Sequence, residues 1–321
     1  MLLHRTMVWA VALVVLLTWQ SAAHAQANSG VLDANGAFKP IAVPGASFTW
    51  ASGINNVGQI VGSYNDRSGR THGFLYADGT FTTIDGLGNN EFSPVQTTAT
   101  GINDAGQVVG TYWPSDPEVG RHTPIQGFIY AGGTFTTFKG PDFNTYINGI
   151  NNAGQIIGQS VGPSGFGGFH AFLYAGGTFT TIDMCGDFPG CSAETWPEGI
   201  NDAGQIVGTD FGQGFLYSGG AFRPFQMDDG SPASPLDINN VGQIVGSTAG
   251  HGFRYAAGVF STIDVPGSIV NYAAGINDLG QIVVGGVFAV PEPDSLVLFS
   301  VGLLGLGLAW RHSRAARIRL T

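Results

Sequence analysis

Short apolar runs, each bounded by Gly, Asn or Asp, recur in a fixed order along most of this chain. The string Gly-Ile-Asn-Asn/Asp-x-Gly-Gln-Ile/Val begins at Gly53, Gly101, Gly149, Gly199 and Gly275, and a sixth copy has Asp237 in place of the first Gly. Its Ile falls at positions 54, 102, 150, 200, 238 and 276. Five aromatic clusters follow the first five copies: Phe74-Leu75-Tyr76, Phe128-Ile129-Tyr130, Phe172-Leu173-Tyr174, Phe215-Leu216-Tyr217 and Phe253-Arg254-Tyr255. After each comes a run of alternating character, as in Thr80–Asp85 and Thr178–Asp183. Short β-branched and aromatic runs between turn residues predict strands. The Asn-Asn/Asp-x-Gly segments predict tight turns, because Asn and Asp bond their own backbone and Gly takes a positive φ without a Cβ penalty.

One unit therefore reads as four strands: a (Ile-Asn), b (Gln-Ile-Val-Gly), c (Phe-Leu-Tyr) and d (Phe-Thr-Thr-Ile-Asp). Four antiparallel strands in roughly 40–45 residues is the period of a propeller blade. The expected fold is all-β, a six-bladed β-propeller of four-stranded antiparallel blades spanning residues 26–288. A pair of β-sandwiches is the alternative, and the regular units without a mid-chain break speak against it. The chain opens with an orphan strand d, Phe38–Ile41, and closes with an orphan a–b pair. That N-terminal strand is expected to close the ring beside Gln281–Phe288, leaving no open edge. The last blade lacks a Phe-Leu-Tyr run, which predicts three strands there or use of Val287–Val290.

The two ends have other grammars. Residues 1–25 carry a basic start (His4, Arg5), an apolar stretch from Met7 to Trp19 and a small-x-small ending at Ala25, which predicts a signal peptide cleaved after Ala25. At the far end, Pro291-Glu292-Pro293 precedes an apolar run over 296–310 and then Arg311, Arg314, Arg317 and Arg319. An uncharged run with clustered Arg behind it predicts a short hydrophobic transmembrane helix with a cytoplasmic C-terminus. Residues 289–321 closely resemble the PEP-CTERM sorting signal of Gram-negative bacteria. That resemblance implies an exosortase-type processing enzyme as partner, transient anchoring in the inner membrane, and delivery to the cell surface or the extracellular matrix. Over residues 36–288 the repeats resemble the HAF-family extracellular repeat, through His170-Ala171-Phe172 and the variants His72-Gly73-Phe74 and His251-Gly252-Phe253. The family implies an exported propeller-like body and no established activity.

Charge sharpens this picture. The whole chain has a formal net charge of −10. Residues 26–292 hold seven basic and 21 acidic residues, a net of −14. Binding to phosphate backbones needs a basic footprint, so nucleic acid is excluded as a partner. Gly numbers 51, without a collagen-like period, and 22 Phe supply enough apolar surface for a packed core.

Catalytic and metal-binding signatures are missing from the sequence. It has no HExxH, Cys₂His₂, EF-hand, GxSxG, P-loop or dinucleotide pattern, so no metal, cofactor or catalytic residue is expected. His72, His170 and His251 share one repeat position and so spread one per unit, which suits structural hydrogen bonding. Cys185 and Cys191 lie in one Gly/Pro-containing loop, and in an oxidising compartment they predict a disulfide.

Loop lengths point to a binding face. Every a–b and c–d turn is short, whereas the b–c and d–a connections vary, and insertions gathered on one face mark a site of interaction. Trp50, Trp113 and Trp196 fall on that face. Counting three residues back from each Gly-Ile-Asn copy gives Trp50, Thr98, Tyr146, Trp196, Ser234 and Tyr272. Trp50, Trp113, Tyr146, Trp196 and Tyr272 are the expected ligand-binding residues, since aromatic platforms on an acidic body suit a sugar better than an anion. The expected function is a non-enzymatic surface or matrix protein that binds extracellular polysaccharide. The alternatives are a secreted hydrolase or lyase on the same scaffold, and a purely structural matrix component.

Overall fold

The computed structural model describes residues 29–32, 36–86, 96–114, 123–162, 168–184, 193–265 and 268–288. The signal segment with Ala25, the Cys185–Cys191 pair, the Pro291-Glu292-Pro293 motif and the apolar run 296–310 lie outside the described residues. The repeats belong to one compact unit that ends at Phe288. Among the described residues no helix is long and apolar enough to cross a membrane.

The fold is all-β and propeller-like, and each of the first five repeats makes a four-stranded antiparallel sheet. Two strands precede the first repeat: β1 (Ser29–Leu32) and β2 (Phe38–Ile41). The first repeat is β3 (Phe48–Ile54), β4 (Ile60–Asn65), β5 (Thr71–Ala77) and β6 (Thr80–Ile84). The second is β7 (Gln96–Ile102), β8 (Val108–Trp113), β9 (Gln126–Ala131) and β10 (Thr134–Phe138). The third is β11 (Asn144–Ile150), β12 (Ile156–Val161), β13 (Gly168–Ala175) and β14 (Thr178–Thr181). The fourth is β15 (Ala193–Ile200), β16 (Ile206–Asp210), β17 (Gln213–Ser218) and β18 (Ala221–Phe225). A short parallel bridge between β13 and β15 joins the third sheet to the fourth. The fifth is β19 (Ser234–Ile238), β20 (Ile244–Thr248), β21 (His251–Ala256) and β22 (Val259–Ile263).

The last sheet corrects the expected closure. It contains β23 (Ser268–Ile276) and β24 (Ile282–Phe288) in the order β2-β1-β24-β23. The strand beside β24 is β1, with Val31 opposite Val283, and Phe38–Ile41 lies one place further out, paired to β1. The N-terminus thus supplies a hairpin and not a single strand. The last sheet has four strands: Val287 and Phe288 end β24, opposite Val270 and Ser268, and β1 occupies the edge that a c strand would otherwise fill.

The turn signature has a complete hydrogen-bond account. In the first copy the Asn55 N–H donates to Gln59 O (3.0 Å), Gly58 N–H donates back to Asn55 O (3.1 Å), and Asn55 Oδ1 accepts from Gln59 N–H (2.9 Å). Asn55 Nδ2 then donates both to Gln59 Oε1 and, in the next repeat, to Asn103 O. Gly58 sits at φ +81°, where a side chain would be strained. The same bonds recur at Asn103, Asn151, Asn201, Asn239 and Asn277. All six Asn are buried, at 2–4% exposure, so Asn and the Gln four positions on are required as a pair: each satisfies the other's buried polar groups.

Packing between and within sheets comes from the aromatic clusters. The first Phe of each strand c (Phe74, Phe128, Phe172, Phe215, Phe253) is 0–1% exposed. Each meets the Phe of strand d in its own sheet, as Phe74 meets Phe81 at 5.5 Å. Burial of one such ring stabilises the fold by roughly 1.5–3 kcal/mol. The Gly of strand b is forced by this packing. A Cβ on Gly62 would collide with the Trp50 carbonyl and stand 2.9 Å from the Phe74 ring.

Candidate functional site

Strand a of every repeat lines one shared void of about 450 Å³, in the size range of small-ligand pockets. Three layers follow from the order of residues along strand a.

The turn end carries an alternating ring. The residues after the six buried Asn are Asn56, Asp104, Asn152, Asp202, Asn240 and Asp278. Each main-chain N–H donates to the Oδ1 of the next member at 2.7–2.8 Å, and Asp278 N–H returns to Asn56 Oδ1. Each Asn amide also donates to the Oδ2 of both flanking Asp. Asn56 reaches Asp104 and Asp278 (both 2.9 Å), Asn152 reaches Asp104 and Asp202 (both 3.0 Å), and Asn240 reaches Asp202 (2.8 Å) and Asp278 (3.0 Å). Donors and acceptors match without remainder.

The middle layer is built by β-bulges. Every a–b pair shifts register by one residue at the same place, between Ala51 and Gly53 in the first repeat and between Pro197 and Gly199 in the fourth. A bulge re-aims the unpaired side chain. The skipped residues are Ser52, Thr100, Asn148, Glu198, Leu236 and Ala274, and all six line the void. The chemistry of this layer differs from repeat to repeat: four consecutive polar side chains, then two apolar ones.

Two carboxyls lie in or beside this layer. Glu198 Oε2 accepts from Asn148 Nδ2 at 3.4 Å. Asp237 takes the place of the repeat's first Gly, and its two oxygens accept from Ile238 N–H and from Ile276 N–H, both at 2.8 Å. Protein surrounds both carboxyls on most sides while the channel still touches them, which accounts for their half-buried surfaces. Burial pushes Glu198 up to about 7, against the bond from Asn148. Asp237 also rises to about 7, through burial and the nearby Asp278 charge, with its two N–H donors pulling the other way.

The mouth on the variable side is aromatic. Trp50, Tyr146 and Tyr272 line the void together with Trp113 and Thr98. Burial raises the Tyr146 and Tyr272 phenols. Trp196 does not line the channel. It packs on Phe169 at 4.8 Å, Phe169 meets Tyr146 edge-on at 6.1 Å, and Tyr146 meets Trp113 at 6.4 Å. These four rings form a band from the second repeat to the fourth, while Trp50 stacks on Phe48 at 5.6 Å. Of the five aromatic residues expected from sequence, four share the channel and Trp196 joins only through Phe169, which repeat counting missed because its counterparts are Thr71, Ile125, Gly212 and Gly250.

The three histidines at the shared repeat position do not converge. His72, His170 and His251 each bind, through Nδ1, the Asp thirteen residues later: Asp85 (2.9 Å), Asp183 (2.6 Å) and Asp264 (2.9 Å). Where the repeat has Gln126 or Gln213 for His, the partner position holds Lys139 or Gln226. The two positions change together, as a structural pair does. Among the described residues no cluster of three or more His, Cys, Asp or Glu is placed to hold a metal ion.

Solved structures similar to this chain include the fucose-specific Aleuria aurantia lectin, as a mutant in complex with Fucα1-6GlcNAc. It is 12% identical, with 75% of this chain and 88% of that chain covered and a TM-score of 0.43. A gluconolactonase from Xanthomonas campestris is 12% identical over 74% of this chain and 86% of that chain, with a TM-score of 0.44. The β-propeller domain of the Trilobed protease from Pyrococcus furiosus is 12% identical over 72% and 86%, with a TM-score of 0.37. No curated protein matches the chain. Residues 289–315 match the PEP-CTERM protein-sorting motif. The chain thus carries the tail of an exported protein that is sorted by an exosortase to a surface or extracellular location.

Proposed function

We propose that this chain is a cell-surface or matrix binding protein whose six repeats form a six-bladed propeller of the HAF type, and that the aromatic mouth of its channel holds a polysaccharide. The observation that carries the reading is the convergence of Trp50, Trp113, Tyr146 and Tyr272 on one void. Flat side chains supply large contact area at low entropic cost, which suits the apolar faces of sugar rings. The acidic body and the sorting tail agree with work outside the cell on a neutral or cationic partner. The signal peptide leaves after Ala25, Cys185 and Cys191 form a disulfide, and the hydrophobic helix over 296–310 holds the chain in the inner membrane until exosortase handling removes the tail.

A glycan array probed with the full-length chain in mild detergent tests the reading. Binding to a defined glycan, lost on Trp50→Ala while the unfolding midpoint holds, supports it. Binding that survives loss of Trp50 and Tyr146 together overturns the placement of the site. A second reading, a glycan hydrolase, draws on Glu198 and Asp237, two carboxyls in one channel with their pKa values raised toward neutrality. Appearance of new reducing ends on the bound glycan would favour it.

A further inference from the structure

Channel chemistry narrows the ligand further, on the reading that the mouth holds a glycan. Among the described residues, the ionisable side chains lining the void are Glu198, Asp237, Asp104, Asp202, Asp278 and the phenols of Tyr146 and Tyr272, with no Lys, Arg or His. The three ring Asp are fully engaged by Asn amides and main-chain N–H groups. Glu198 is not: its one partner among the described residues is Asn148 Nδ2, at a long 3.4 Å. Asp237 lies against the residue that follows Glu198, since a Cβ on Gly199 would stand 2.7 Å from Asp237 Oδ1. Two carboxyls on adjacent repeats therefore face the void with no counter-charge among the described residues.

A second observation points the same way. Gln159 lines the void and is 3% exposed, and its Oε1 has no hydrogen-bond partner among the described residues. Its counterpart one repeat earlier, Thr111, accepts the Ile147 N–H at 3.0 Å. The residue that stands in Ile147's place opposite Gln159 is Pro197, which has no N–H to give. An orphaned buried acceptor is costly and calls for a donor. An ammonium group brings three donors and a positive charge, and the rings of Trp50 and Tyr146 favour a cation at their faces.

We infer that the channel selects a sugar bearing a free, protonated amine, a deacetylated hexosamine unit of a polysaccharide, with Glu198 and Asp237 as counter-charges and Gln159 as an added acceptor. N-Acetylation removes both the charge and two of the three donors, so the acetylated sugar leaves the carboxyls uncompensated. The bulge layer gives the sugar its orientation: hydroxyl and amide side chains of Ser52, Thr100 and Asn148 on one side, Leu236 and Ala274 on the other.

Calorimetric titration of the full-length chain in mild detergent tests this, with glucosamine trimer, N-acetylglucosamine trimer and spermidine as probes. The expected result is at least tenfold tighter binding of the glucosamine trimer than of either other probe, and a loss of at least tenfold on Glu198→Gln with the melting temperature held. Asp237→Asn is a second variant with the same expectation, should Glu198→Gln fail to fold. Equal binding of the acetylated trimer overturns the amine assignment and leaves the glycan reading standing. Spermidine binding as tightly as the glucosamine trimer overturns the sugar part of the assignment. Absence of binding to both trimers, with other glycans bound on the array, overturns this inference alone; no glycan bound on the array overturns the proposed function with it.

Discussion

Asn277 donates an amide hydrogen to the main-chain carbonyl of Asn55 at 3.0 Å, across 222 positions of sequence. The bond repeats the one that every other unit makes to its successor, and it turns a row of repeats into a cycle. Asn277 also donates to Gln281 Oε1 and accepts from the N–H groups of Leu279 and Gln281. Asn277→Ala strands these buried partners and is expected to cost about 2–4 kcal/mol. Urea unfolding reads this directly; a midpoint equal to that of the parent chain would show that the last repeat is not locked to the first.

The alternating ring predicts an unusual sensitivity. Asp104→Asn removes one methodical match: Asn56 Nδ2 and Asn152 Nδ2, which both donate to Asp104 Oδ2, would face a group that offers one acceptor oxygen and two further donors. This isosteric change is expected to destabilise by roughly 1–3 kcal/mol, whereas exchange of all six members, Asn for Asp and Asp for Asn, should restore most of the loss. Thermal melts of the two variants side by side make the comparison. Equal destabilisation by both would refute the alternation as the source of the effect.

The His–Asp pairs should rank by burial. Asp183 is 4% exposed and accepts from Ala171 N–H as well as from His170, while Asp264 is 63% exposed beside His251. Double-mutant cycles to Ala are expected to give a coupling of about 1 kcal/mol or more for His170–Asp183 and near zero for His251–Asp264. The reverse order would remove the pairs from any structural role.

Burial of Glu198 and Asp237 fixes a pH dependence of stability. Burial raises both carboxyls to about 7 in the folded chain, above their ordinary 4.5 and 3.8. The folded state therefore holds protons that the unfolded state has released, and stability falls as pH rises from about 4 to about 7, then levels off. The combined loss is on the order of a few kcal/mol. Asp237 faces Asp278, Ile238 N–H and Ile276 N–H, and Glu198 faces Asn148; among the described residues no cation opposes the trend. Denaturant midpoints at pH 5 and pH 8 should differ in that direction for the parent chain, and by less for Glu198→Gln. A midpoint that climbs from pH 5 to pH 8 contradicts the assignment.

Removal of residues 29–41 strips β1 and β2 from β24 and leaves a bare sheet edge, which invites edge-to-edge association. Light scattering should show oligomers of the truncated chain at concentrations where the parent stays monodisperse. A monodisperse truncation with an unchanged melting temperature would mean that the hairpin is dispensable.

Much of this architecture was legible because its determinants are local. The Asn-x-x-x-Gln turn, the Phe of strand c and the Gly at positive φ each announce a strand boundary by chemistry that needs no knowledge of the rest of the chain. What escaped was set by neighbours. Ser29–Leu32 has no aromatic or Thr signature; it is a strand because β24 offers it an edge. Ser52, Thr100, Asn148 and Glu198 break the two-residue alternation at a bulge, so the period assigns them to neither face. Gln159 looks like an ordinary polar strand residue until Pro197, 38 positions on, fails to supply its donor. Trp196 shares the repeat position of Trp50, yet the nearby Phe169, present in one repeat only, takes its ring.

The alternating ring carries a constraint on ancestry. A cycle in which Asn must sit between Asp and Asp between Asn closes only when its members are even in number. Loss or gain of a single repeat would set two like residues side by side, two amides or two carboxylates, at the seam. Growth or shrinkage of this protein by duplication is thereby biased to pairs of repeats. The natural copying unit is the Asn repeat together with its Asp neighbour, three such doublets making the present ring.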